Sequence, residues 1–133
     1  MNNCFLPMQE FEFTEQEIAD AVQGNRLLSM EMEFSQRCNL RCQYCYYADK
    51  TSFENELTRE EIHDAILQAK ALGARKIIIL GGEPMVYPHI MEMLHFIRAE
   101  DLHVEVFTNG FRINPDIARQ LFEMNVFVVL KMN

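Results

Sequence analysis

No stretch of the 133-residue chain approaches the roughly 20 consecutive apolar residues that span a bilayer. The N-terminus lacks the basic n-region of a secretory signal and carries acidic residues from Glu10 onward. Neither membrane insertion nor export is expected, and the expected compartment is the cytosol. Positive charge is scarce: 12 basic residues stand against 20 acidic ones, a formal net charge of -8 at pH 7. Arg37, Arg41, Arg59, Lys70, Arg75 and Lys76 are scattered, so no basic stripe is present to displace counterions from a phosphate backbone. Nucleic acid is therefore not an expected partner. Internal repeats, low-complexity segments and Gly/Ser-rich linkers are also missing. What remains is room for one domain, and 49% hydrophobic with 24% charged residues is the composition of an ordered globular chain.

Cysteine is sparse but unevenly placed. Of four, three fall within eight residues, at Cys38, Cys42 and Cys45. A reducing compartment keeps thiols free, so such a group points to metal binding or catalysis rather than to disulfides. Cys4, in an unpatterned N-terminal stretch, reads as a spare thiol.

Most of the remaining sequence alternates strand and helix. Residues 1–29 form an N-terminal extension in which Thr14-Glu15-Gln16-Glu17 fits a capping box, with Ile18, Ala21 and Val22 as the apolar side of a helix ending near Gly24. From Met30 to Phe34, apolar and acidic residues alternate as in a strand with one buried face. A polar stretch from Ala48 to Leu57 reads as loop. Thr58-Arg59-Glu60-Glu61 is a second capping box, followed by Ile62, Ala65, Ile66, Ala69 and Leu72 at helical spacing until Gly73. Lys76 to Leu80 reads as a parallel strand covered on both faces. Pro88 marks a helix start before Ile90, Met93, Leu94 and Ile97, and His103 to Phe107 reads as a third strand. Asn114 and Pro115 cap a last helix carrying Ile117, Ala118, Leu121 and Phe122, and Val126 to Leu130 is a fourth strand. Met91, Met93 and Met124 are expected as core filler. Strands separated by helices predict βαβ units and a parallel sheet. The final apolar strand is followed by only three residues, none able to cover it, so the chain is expected to be a fragment of a larger barrel.

The cysteine run Cys38-Asn39-Leu40-Arg41-Cys42-Gln43-Tyr44-Cys45 has the spacing C-x3-C-x2-C at the C-terminal end of the first strand. Three thiolates so spaced wrap a loop around a cubane and ligate three of its four irons. A structural site would instead close the shell with a fourth cysteine, and an iron without a protein ligand is an open position for a small molecule. A zinc site, a cluster serving only electron transfer or redox sensing, and three structural thiols remain as alternatives.

The run CNLRCQYC, with Tyr44 just before its last cysteine, resembles the C-x3-C-x-aromatic-C signature of the radical S-adenosylmethionine (radical SAM) superfamily. Gly81-Gly82-Glu83-Pro84, directly after the second strand, is similar to that family's GGEP motif, and Thr108-Asn109-Gly110 follows the third strand as the family commonly has it. The resemblance covers about Met30 to Asn133. It implies an α/β fold of parallel (β/α) units, the N-terminal portion of a partial (β/α)6 TIM-like barrel truncated after its fourth strand, with residues 30–133 as an incomplete core. It also implies that Cys38, Cys42 and Cys45 hold a 4Fe-4S cluster and that the GGEP loop hydrogen-bonds the ammonium group of SAM. Tyr44 would then pack near the adenine. Asn109 would line the pocket, and Lys131 and Asn133 sit where polar contacts to SAM are often placed. In such enzymes the reduced cluster cleaves SAM to a 5'-deoxyadenosyl radical, which abstracts hydrogen from a substrate. The two tyrosines in CNLRCQYCYY resemble the subgroup that modifies peptides and proteins, while cofactor-biosynthesis relatives use similar loops. An electron donor such as flavodoxin or ferredoxin is implied as a partner.

Overall fold

The computed structural model describes residues 11–46 and 55–132. Helix starts in this chain are set locally. Thr14 Oγ1 accepts the Glu17 N–H at 3.2 Å while the Glu17 carboxylate accepts the Thr14 N–H at 2.8 Å, which satisfies two otherwise unpaired donors at the head of α1 (Glu15–Gln23). Thr58 and Glu61 repeat this reciprocal pair at the head of α2 (Arg59–Ala71). Gly73, at φ +110°, ends α2 in the left-handed region that favours glycine. Replacing Thr58 by alanine is expected to destabilise the fold by about 1 kcal/mol, seen as a lower denaturant midpoint at unchanged slope. An unchanged midpoint would mean that packing alone holds α2.

The strands are β1 (Ser29–Glu33), β2 (Lys76–Leu80), β3 (His103–Thr108) and β4 (Phe127–Leu130), and the later helices are α3 (Ile90–Ala99) and α4 (Pro115–Glu123). All pairings are parallel, in the order β1-β2-β3-β4. Asn114 caps α4 as expected, its Oδ1 accepting the Ile117 N–H at 2.9 Å. Pro88 falls in the turn before α3, where His89 occupies the cap position without a side-chain bond.

Register explains where the core lies. Met32, Ile79, Val106 and Val128 are aligned across the sheet, as are Met30, Ile77 and Val104 one layer below. Against these residues pack Ile62 and Ile66 of α2 with Met93, Leu94 and Ile97 of α3, all fully buried. Met91 and Met124 pack at the edge of this cluster. At about 25 cal/mol per Å2 of apolar surface removed from water, this layer is the main source of cohesion.

Two expectations change. β2 was expected to be covered on both faces, but Ile77 and Ile79 are buried while Lys76, Ile78 and Leu80 are only half-buried. Alternate residues of a strand point to opposite faces, and the second face carries Glu31, Glu33 and Glu105 beside Ile78 and Phe107, so no helix layer covers it among the described residues. On α1, Ala21 is buried, but Ile18 is 46% and Val22 73% exposed.

The described part of the N-terminal extension is not a loose appendage. Phe11 stacks on His103 at 3.7 Å between ring centroids, its carbonyl accepts from Lys76 Nζ at 3.2 Å, and the Arg75 guanidinium lies over the rings of Phe11 and Phe13. Burial, with Arg98 and Arg75 nearby, holds His103 below its usual pKa, so the stacked ring is neutral at pH 7. Lys76 also pairs with the buried Glu105 at 2.7 Å, closing the lower edge of the sheet. Cys4, Asn133 and most of the polar loop read from residues 48 to 57 lie outside the described residues.

Candidate functional site

The C-terminal ends of parallel strands are where α/β folds gather their functional loops. Three loops meet here, after β1, β2 and β3. The loop after β1 is fixed at its root: Phe34 and Ser35 are buried, Ser35 Oγ donates to Glu56 Oε1 at 2.7 Å, and the Arg37 N–H donates back to Ser35 Oγ at 3.1 Å. The loop after β2 lies directly on that root. Gly82 N–H donates to the Ser35 carbonyl at 3.3 Å, and Glu83 N–H donates to the Arg37 carbonyl at 2.8 Å.

This contact explains the two glycines. Gly81 has φ +128°, and a Cβ there would stand 2.4 Å from the Ser35 carbonyl oxygen. On Gly82 a Cβ would stand 2.2 Å from the Arg37 carbonyl oxygen and 2.4 Å from that of Gln36. The close approach they permit is between two stretches of backbone of the same chain. Gly82→Ala is accordingly expected to cost about 2 kcal/mol through overpacking against atoms that cannot rotate away. A thermal melt within a degree of the parent protein would contradict it.

Glu83 follows, and its carboxylate is buried with 2% exposure. Oε1 accepts from Thr108 Oγ1 at 2.5 Å and from the Met85 N–H at 2.9 Å, while Oε2 accepts from the Asn109 N–H at 2.7 Å. Thr108, also 2% exposed, accepts in turn from the Gly110 N–H at 3.0 Å. Three donors thus satisfy a buried carboxylate that no cation touches in these contacts, as burial requires. Pro84 opens a short 3-10 turn, Pro84–Val86, which aims the Met85 N–H back at Glu83.

The cysteine-bearing tip extends outward from the anchored root. Cys38 is exposed, Cys42 and Cys45 are half-buried, and all three thiols are free. Cys45 N–H donates to the Cys42 carbonyl at 3.0 Å, and Cys38 Sγ accepts from the Leu40 N–H at 3.4 Å. The three sulfurs are not gathered around a common point: among the described residues, no three His, Cys, Asp or Glu side chains converge closely enough to hold a metal ion. The donor set still has the chemistry of a cluster loop, with three soft thiols on one short exposed turn and no fourth cysteine among the described residues. Tyr44 is 68% exposed, and a hydrogen bond with Cys42 raises its phenol above the ordinary pKa.

The structure therefore brings Gly81, Gly82, Glu83, Thr108 and Asn109 together at the root of the cysteine loop and leaves Tyr44 on its surface. Lys131 N–H donates to the Thr108 carbonyl at 2.8 Å, and its ammonium lies 5.1 Å from the Phe107 ring centroid. Ser35 and Asn39 were not singled out from sequence. Asn39 Oδ1 accepts from Asn109 Nδ2 at 2.9 Å, across 70 residues, a pairing that no local spacing announces.

Comparison with known proteins agrees with this layout. The chain is 33% identical over 99 residues to a probable GTP 3',8-cyclase of Thermococcus kodakarensis, covering 74% of this chain and 32% of that protein. It is 31% identical over 94 residues to the mycofactocin maturase MftC of Mycobacterium ulcerans, covering 71% of this chain and 26% of that one. The chain thus spans about a third or less of the curated relatives it matches. Among solved structures, Streptococcus suis SuiB bound to S-adenosylmethionine superposes with a TM-score of 0.70 at 24% identity, over 86% of this chain and 28% of that one. SuiB bound to its precursor peptide SuiA gives 0.69 at 25% identity, over 85% and 26%. The likeness shows the fold, an α/β arrangement of parallel strands belonging to a TIM-like barrel. The sequence model described as Radical SAM superfamily matches residues 32–132, from within β1 to beyond β4. With that match over most of its length, and with the three strand-end loops in place, the chain belongs to the radical SAM superfamily.

Proposed function

We propose that this chain is the cluster- and SAM-binding portion of a radical SAM enzyme, with Cys38, Cys42 and Cys45 as ligands of a 4Fe-4S cluster. The observation that carries this reading is the placement of the C-x3-C-x2-C loop at the C-terminal sheet edge, its root bonded to the Gly81–Glu83 backbone. A bound cluster and SAM would supply reductive cleavage of a sulfonium bond and hydrogen abstraction; that chemistry is the cofactors' own. The protein's residues bind and orient. The thiolates of Cys38, Cys42 and Cys45 would hold the cluster. The Glu83 carboxylate is buried and bonded to Thr108, Met85 and Asn109, which suits it to fix the shape of the loop, while the main-chain carbonyls of Gly81 and Gly82 would be available to the SAM ammonium group.

A peptide or protein is the proposed substrate class. Supporting it are the likeness to SuiB, solved with its precursor peptide, and the identity with the maturase MftC. The GTP 3',8-cyclase relative, at 33% identity, favours a second reading in which a small cofactor precursor is the substrate. A flavodoxin or ferredoxin is the proposed electron donor, and free thiols suit a reducing, cytoplasmic setting. Among the described residues, no helix is long and apolar enough to cross a membrane.

Anaerobic reconstitution followed by electron paramagnetic resonance tests the core of this. A reduced 4Fe-4S signal that SAM perturbs is the expected result. A signal indifferent to SAM would instead indicate an electron carrier or redox sensor, and zinc without iron would indicate a structural site.

A further inference from the structure

Asn109 is held at both ends. Its N–H donates to Glu83 Oε2 at 2.7 Å, which fixes the main chain just beyond β3. Its side-chain Oδ1 accepts from the Phe111 N–H at 3.1 Å, and this acceptor role orients the amide so that Nδ2 is the group left to donate. Nδ2 reaches Asn39 Oδ1 at 2.9 Å. Asn39 directly follows Cys38, on the exposed tip beyond the point where the Gly82 and Glu83 N–H groups anchor the loop. The end of β3 is thus joined by hydrogen bonds to the residue beside the first cysteine, with the buried Glu83 carboxylate holding the other end.

Both ends of the Asn109 amide thus have a partner within the chain. Resting on the function proposed above, we propose that Asn109 is a positioning residue: through Asn39 it sets where Cys38 stands relative to the SAM-binding edge, so the affinity of the loaded site for SAM depends on the bridge. Outer-shell partners that orient metal ligands typically affect affinity or activity by 10- to 100-fold when removed. Asn39 is exposed, which places the expected effect at the lower end, about tenfold.

The test uses the full chain, reconstituted anaerobically, with iron per chain, thermal melting and SAM titration of the reduced-cluster spectrum measured together. Asn39→Ala and Asn109→Ala are each expected to weaken SAM binding about tenfold at parental iron content. Both act on one bridge, so the double variant should be about tenfold weaker as well, where independent effects would multiply to about a hundredfold. Asn39→Asp keeps the acceptor for Asn109 Nδ2 and should restore binding to within about twofold, but not when combined with Asn109→Ala. A general loss of structure would lower melting temperature and iron content together and would not be rescued by aspartate.

Multiplicative losses, an Asn39→Ala variant equal to the parent, or an Asn39→Asp variant as weak as Asn39→Ala would each overturn the positioning role while leaving the proposed function standing. A parent protein whose reduced cluster ignores SAM would overturn both.

Discussion

Replacing any one of Cys38, Cys42 or Cys45 by alanine is expected to abolish stable 4Fe-4S incorporation, a loss beyond the roughly hundredfold upper range for removing even an outer-shell partner of a metal ligand. The reason lies in the donor count. Three thiols stand on the tip of one loop, and no fourth cysteine is present among the described residues. If all three are ligands, as proposed, losing one would leave two thiolates for a cubane that needs three. Serine is expected to fare little better, because a hydroxyl is a poor match for a soft-donor site. Iron and sulfide analysis after anaerobic reconstitution reads the effect directly, and circular dichroism provides the control. All three positions are outside the core, so the apoprotein variants should melt with the parent. Retention of a full cluster in any one of the three would remove that cysteine from the ligand set.

The largest expected effect on stability belongs to Glu83. Truncation to alanine strips the acceptor from two main-chain N–H groups, at Met85 and Asn109, and from the Thr108 hydroxyl, all at a buried position. Each buried donor left unsatisfied costs about 1 to 3 kcal/mol, and the three together are expected to cost about 3 to 4 kcal/mol after partial rehydration. Glu83→Gln tests the charge separately. The glutamine amide has one oxygen for three donors and turns an NH2 toward one of the N–H groups, so a loss of about 2 kcal/mol is expected. Both numbers come from the denaturant midpoint at constant slope. A loss below about 1 kcal/mol for Glu83→Ala would mean that the carboxylate is spare to the fold and available to a ligand.

The difference between what could and could not be read from sequence follows contact distance along the chain. The Thr14–Glu17 and Thr58–Glu61 boxes form as expected because both partners lie within one helical turn. β2 begins and ends at Lys76 and Leu80 as expected, since a β-branched run bounded by Gly73 and Gly81 has few other conformations. The apolar side of α1 was legible, but not its fate: periodicity identifies a face without saying what covers it, and Ile18 and Val22 are largely exposed. Within the site, the cysteine spacing and the Gly-Gly-Glu-Pro loop were visible as motifs, whereas the use of each residue was not. That Gly81 and Gly82 accommodate the backbone of Ser35 to Arg37, and that Glu83 is consumed by Thr108 and Asn109, depends on parallel pairing of strands separated by a helix.

The anchored root and the outward-facing tip of the cysteine loop bear on the order of assembly. Ser35 to Arg37 are locked to the neighbouring loop by main-chain bonds that owe nothing to a metal, while Cys38 remains exposed. In zinc fingers, by contrast, the ion must arrive before the chain can fold. Here the bonds that fix the loop root are separate from the thiols at its tip, so the root is expected to keep its shape in the apoprotein, and melting temperatures with and without reconstituted iron would differ little.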